Sequence, residues 1–267
     1  MNDEGNPKRG KRALVIDDSR IAQETMRELL TNAGLQVSTR ENAVGATAAL
    51  VREKIDVAIV DVNMPMMTGD KFVSLVRRNN RLDHVQLILV TGEKGKEELA
   101  LLAQQAGGDA IVEKKFLRRD LVAVVDGVLI EQDTQDLTTG PLRVLVLDNN
   151  PEALLTSTRR LKDLDCDVLT QDSAMGTLAA VVAHRPHIAL IEIDLELLGG
   201  KALARMLRGN RHTQSCGVVF HSAGALADLE SAARSVGALG AIPKSSDDAA
   251  FRGMFLEISE RYRASRV

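Results

Sequence analysis

The 267-residue chain has no tryptophan, a single tyrosine (Tyr262) and only five phenylalanines. With aromatics at 2%, neither a base-stacking nucleic-acid platform nor an aromatic ligand cage is expected. Cysteine is scarce too. Cys166 and Cys216 cannot form a disulfide framework, and they suit a reducing cytoplasm. Charge of one sign is not in excess: a formal net charge of −3 gives no field strong enough to hold nucleic acid or an anionic membrane. Residues Met1 to Arg12 are polar and lack the apolar stretch of a signal peptide. No apolar run approaches the ~20 residues of a membrane-spanning helix. What the chain does contain is 45% hydrophobic and 27% charged residues, enough for true cores, and its length suggests about two domains.

An internal repeat confirms the division. Leu14-Val15-Ile16-Asp17 stands 131 positions before Leu145-Val146-Leu147-Asp148. The same offset pairs Val37 with Val168, Thr39 with Thr170, Gly69 with Gly200, Arg77 with Arg208 and Asn79 with Asn210. Beyond Thr91 the offset falls by one, pairing Lys114 with Lys244. A register of that length identifies a tandem duplication.

Each copy alternates apolar runs with helical patterns. In copy one the runs are Ala13–Ile16, Val57–Val60, Leu87–Val90 and Ala110–Val112, with a weaker strand at Gln36–Arg40. Continuous rather than alternating hydrophobicity marks strands covered on both faces, hence a parallel sheet between helix layers. Ile21–Ala33 and Phe72–Arg78 read as amphipathic helices, with Ser19 capping the first and Gly34 ending it. A further helix is expected from Leu117 to about Ile130, and the last helix of copy two from near Asp247. The order is (βα)5 twice: an α/β protein of two tandem, doubly wound parallel sheets. The expected boundaries are a flexible tail over 1–11, a first domain over 12–131, a linker over 132–141 and a second domain over 142–267.

Ligands of such sheets bind beyond the carboxyl ends of the strands. In copy one those ends carry Asp17 and Asp18, Asp61, Thr91 and Lys114. Singly, each has a structural explanation: a helix cap, a satisfied strand hydroxyl, a solvated lysine. Together on one rim they make a site. Three carboxylates against one ammonium leave a net negative cluster that calls for a hard dication such as Mg2+. The metal, Lys114 and Thr91 could then receive a phosphoryl group, and a carboxylate can be its nucleophile.

Asp17-Asp18-Ser19, Ile59-Val60-Asp61-Val62-Asn63-Met64-Pro65, Val90-Thr91 and Lys114 resemble the receiver domain of two-component response regulators, of the chemotaxis type. The resemblance covers both copies and implies a flavodoxin-like fold for each. It implies Asp61 as phosphoacceptor, Mg2+ held by Asp18, Asp61 and the Asn63 carbonyl with Asp17 acting through water, and Lys114 and Thr91 gripping the phosphoryl oxygens. The implied donor is a phosphohistidine on a histidine kinase or a histidine phosphotransfer protein. Copy one departs from the family pattern at Lys115, where a proline is usual, and at Ile111, the switch position, usually aromatic. Asn63 and Glu93 flank the path of hydrolytic water in receivers, which implies a short-lived phosphoryl group.

Copy two is altered at the chemistry. Asp148, Ser222 and Lys244 persist, but Asn149 and Glu192 stand where a metal-binding aspartate and the phosphoacceptor would be. Either this second site is merely decayed, with Glu192 a structural ion-pair partner, or Glu192 holds copy two in an active-like state. Both readings make it a degenerate pseudo-receiver that is not phosphorylated. Weaker signals stay structural. Gly92-Glu93-Lys94-Gly95-Lys96 lacks the spacing of a phosphate-binding loop, and its glycines are expected to give the Thr91 loop room to move. His184, His187, His212 and His221 lack metal-ligand spacing. The expectation is a cytoplasmic signalling protein rather than an enzyme, acting on an unidentified protein target, with no helix-turn-helix or enzymatic output domain. A phosphate sink that drains a kinase is the alternative. An Mg2+-dependent phosphohydrolase of the haloacid dehalogenase type fits poorly, because its nucleophile would follow the first strand.

Overall fold

The structure, a computed structural model, describes residues 10–92, 101–102, 104–129, 140–196 and 198–265. Packing divides the chain into two compact units, Met1–Glu131 and Gln132–Val267. The sheet of the first unit comprises β1 (Arg12–Ile16), β2 (Gln36–Arg40), β3 (Val57–Asp61), β4 (Gln86–Thr91) and β5 (Ala110–Glu113). Its order is β2-β1-β3-β4-β5, with every pairing parallel. The second contains β6 (Arg143–Leu147), β7 (Asp167–Gln171), β8 (Ile188–Ile191), β9 (Gly217–Ser222) and β10 (Gly240–Pro243), in the order β7-β6-β8-β9-β10. The two sheets are therefore the same doubly wound sheet, as the repeat implies.

Burial explains why these segments become strands. Ala13 to Ile16 and Val57 to Val60 are wholly buried, as expected of strands sandwiched between helices. The strands extend one residue further than their apolar runs at Asp61, Thr91 and Glu113, because ladder pairing continues onto the first polar residue. Helix Arg20–Asn32 begins at the Ser19 cap, whose hydroxyl accepts from Ala22 N, and ends at an Ala33 cap followed by Gly34 with φ +97°. Helix Gly69–Arg77 starts three residues before the amphipathic pattern does. Helix Leu117–Leu129 turns Leu121, Val124, Val125 and Val128 inward, and helix Asp248–Ala264 follows an Asp247 cap.

Two repeated residues have structural roles that spacing alone did not assign. From the end of helix Gly69–Arg77, Arg77 donates to the carbonyls of Gly107 and Val85 and meets Asp109 at 2.6 Å. Its counterpart Arg208, at the end of helix Gly200–Gly209, donates to the Gly237 carbonyl. Each arginine ties a helix to the turn that precedes the fifth strand of its sheet. Since Gly107 and Gly237 already follow the shorter offset, the extra residue of copy one lies between Gly92 and Gly107.

Candidate functional site

Strand order reverses between β1 and β3, and a crevice opens there at their carboxyl ends. Asp17 and Asp18 follow β1, and Asp61 ends β3. Their carboxylates offer oxygens that lie within 4.8 Å of one another, the one such cluster among the described residues. Asp17 and Asp61 are buried, whereas Asp18 is exposed. The backbone orients two of them: Ser19 N donates to Asp17 Oδ1 at 2.8 Å, and Asn63 N donates to Asp61 Oδ1 at 3.2 Å. Lys114, at the end of β5, bridges the pair with its Nζ 2.7 Å from Asp17 Oδ2 and 3.1 Å from Asp61 Oδ2. Asp17 Oδ2 is buried, with the Lys114 ammonium as its ion-pair partner.

Electrostatics follow from this crowding. Burial raises the Asp61 pKa above the ordinary carboxylate value, Lys114 opposes the rise and Asp17 adds to it. For Lys114, burial works against the charge, but Asp17 and Asp61 together outweigh it and raise its pKa. Thr91 is buried at the end of β4, one residue beyond Val90, the β4 partner of Asp61. Ile111 is buried in β5 opposite Leu89. Asn63 is exposed. Glu93, with most of its loop, falls outside the described residues.

The second unit repeats the framework with different chemistry. Asn150 N donates to Asp148 Oδ1 at 2.9 Å and Asp194 N donates to Glu192 Oε1 at 3.0 Å, matching the Ser19 and Asn63 contacts. Lys244 Nζ lies 2.5 Å from Asp148 Oδ2 and also holds Glu192 Oε2. The Ser222 hydroxyl donates to the other Glu192 oxygen, Oε1. Asn149 is exposed. His221, beside Ser222, is buried; its ring pairs with the Ile242 carbonyl and Ser157 and packs edge-on against Phe251, a core role. His187 accepts from Arg143 N, also a structural contact.

Comparison with known proteins bears on the first unit. Residues 13–126 match the response regulator receiver domain. A chemotaxis protein CheY homolog of Campylobacter jejuni is 34% identical over 118 residues, 43% of this chain and 90% of that protein. The chain belongs to the response regulator receiver family. The phosphate regulon transcriptional regulatory protein PhoB of Pseudomonas aeruginosa is 29% identical over 52% of this chain and 61% of its own length. The response regulator protein FleR of the same species is matched over 36% of its length. The chain thus spans less than two thirds of these two regulators. Among solved structures, the chemotaxis response regulator CheY4 of Vibrio cholerae is 28% identical over 45% of this chain and 98% of its own, with a TM-score of 0.41.

Two features of the receiver site were not legible in spacing. A Cβ on Gly69 would come within 2.8 Å of Val62 Cα, so glycine lets the helix start under the Asp61 loop; Gly200 does the same beneath Glu192. Gly92 has a packing role that spacing did not assign. A Cβ there would meet Lys114 Cδ at 2.7 Å, so its missing side chain makes room for the lysine stem. That glycine therefore serves the packing of the Lys114 stem against the neighbouring strand end, while Gly95 and the rest of the loop fall outside the described residues.

Proposed function

We propose that residues 12–131 form a phosphorylatable receiver in which Asp61 accepts a phosphoryl group from the phosphohistidine of a histidine kinase or histidine phosphotransfer protein, with Mg2+ as cofactor. The observation that carries this reading is the meeting of Asp61, Asp17, Asp18 and Lys114 at the crevice between β1 and β3. Asp18, Asp61 and the Asn63 carbonyl would hold the ion, with Asp17 supporting it through water, and the ion would neutralise charge on the incoming phosphoryl oxygens. Asp61, as the carboxylate, attacks phosphorus; an O–P bond forms as the P–N bond to the donor histidine breaks, and the imidazole leaves with the electron pair. Lys114, already 3.1 Å from Asp61, is placed to bind a phosphoryl oxygen, and the Thr91 hydroxyl follows from the next strand end. Asn63 and Glu93 would set how soon water removes the group.

Beside the acidic cluster an open groove of about 490 Å³ is lined by Ser19, Ile21, Ala22, Lys114, Lys115 and Leu117. Ile21 is 81% exposed there, an apolar foothold for a protein donor. We assign the output to contact with a protein target in the cytoplasm, biased by the phosphorylation state. Residues 142–267 form the degenerate second receiver. The test is transfer from phosphorylated histidine kinases in the presence of Mg2+. Wild type should be labelled and Asp61→Ala should not. Ile21→Asp should slow transfer from a protein donor about tenfold while leaving labelling by acetyl phosphate, a small acyl phosphate, unchanged. Label retained by Asp61→Ala would refute the assignment.

A further inference from the structure

The second site contradicts the idea of simple decay. Its framework is intact: Asp148 and Lys244 keep their ion pair, the backbone contacts from Asn150 and Asp194 match those of the first unit, and Gly200 keeps its close approach. A decayed site would be expected to lose such second-order features together with its acceptor. What differs is the position of one carboxylate. The extra methylene of Glu192 carries it far enough to accept from Lys244 on one oxygen and from the Ser222 hydroxyl on the other. In the first unit the shorter Asp61 is bonded by Lys114, at 3.1 Å. Ser222 and Glu192 are both buried, so the bond between them is sheltered from water. On the metal side, Asn149 replaces an anionic ligand with a neutral one, and no acidic cluster is found there among the described residues.

We propose that Glu192 is a built-in ligand of the second site: its carboxylate occupies the place between Lys244 and Ser222 where an anion would bind, and so holds this unit in one fixed state that neither Mg2+ nor a phosphodonor alters. The block to chemistry then resides in two residues, Asn149 and Glu192. The rest of the site, including Lys244 and Ser222, remains competent. This deepens the reading of residues 142–267 as a degenerate receiver. It is tested with Asp61 removed, so that failure of the first-site assignment shows up separately, in wild type.

The full chain carrying Asp61→Ala is compared with the same chain carrying Asn149→Asp and Glu192→Asp as well. Both are incubated with Mg2+ and acetyl phosphate and read by peptide mass, with Tyr262 fluorescence melts reporting folding of the second unit. The Asp61→Ala chain should stay unlabelled. The combined variant should gain one phosphoryl group on the peptide containing position 192, and calorimetry should show one Mg2+ taken up. A combined variant that is folded but inert to both would overturn the two-residue account, as would labelling of Glu192 itself. In a separate measurement, Glu192→Ala should accelerate amide exchange just after Ser222 by about tenfold. Unchanged exchange there would show that Glu192 holds nothing in place.

Discussion

Asp61 and Glu192 occupy equivalent strand ends, yet their acidities move in opposite directions. Burial raises both, and is the largest influence on each. At Asp61 it prevails over Lys114 and Asn63 N, and the charge of Asp17 pushes the same way as burial. At Glu192 the hydrogen bonds from Lys244, Ser222 and Asp194 N outweigh burial and hold the carboxyl below its usual value. One methylene decides which balance applies. Gly92 makes a comparable point about space. In Gly92→Ala the added carbon would force aside the Lys114 stem, now within 2.7 Å of where it would sit. Phosphorylation of Asp61 should fall about tenfold to a hundredfold, with a melting temperature close to that of wild type. An unchanged labelling rate would remove Gly92 from the site.

At the scale of elements, strands were legible because continuous apolar runs are a local property, and Ala13–Ile16 or Leu87–Val90 needed no knowledge of neighbours. The helix from Gly69 was less so. Its first turn carries Asp70 and Lys71, and its start is set by the close approach of Gly69 to Val62, a tertiary contact. The paired arginines show the same limit: their repetition is visible in the chain, but their purpose is not. Arg77, 18% exposed, meets Asp109, 4% exposed, and two carbonyls, so Arg77→Leu should destabilise the first unit by about 3 kcal/mol. Exposed Arg208 makes a carbonyl contact, and Arg208→Leu should cost the second unit about 1 kcal/mol. Denaturant titrations followed by circular dichroism, with Tyr262 fluorescence for the second unit, would check the order of the two losses.

At the scale of the whole molecule, the two units should respond differently to acid. The folded pKa of Asp61 lies above its ordinary value of 3.8, so its contribution favours the folded first unit at low pH and is lost as pH rises through the folded value. The folded pKa of Glu192 lies below its ordinary 4.5, so its contribution is present above 4.5 and is lost as pH falls through the folded value. Buried His221, its pKa lowered chiefly by burial, adds to the acid loss in the second unit below its ordinary 6.5. With divalent ions chelated, acidification should therefore melt the second unit first. Tyr262, the sole tyrosine and 4% exposed, reports that unit alone, and amide exchange in β1 and β3 reports the other. Earlier loss of the first unit would show that these groups do not govern the acid response.

The chain itself determined the duplication, the parallel sheets and the set of polar residues at the strand ends, because periodicity and register are written along one dimension. It could also name Asp17, Asp61 and Lys114 as neighbours on one rim. Tertiary structure alone decided which of them touch: Lys114 reaches Asp61 across 53 positions only after β3, β4 and β5 lie side by side. The reach of Glu192 to Ser222 and the vacancy that Gly92 leaves for a lysine stem were likewise settled there. Such contacts depend on differences of about one ångström between side chains from separate strands, and no local pattern carries distances of that size.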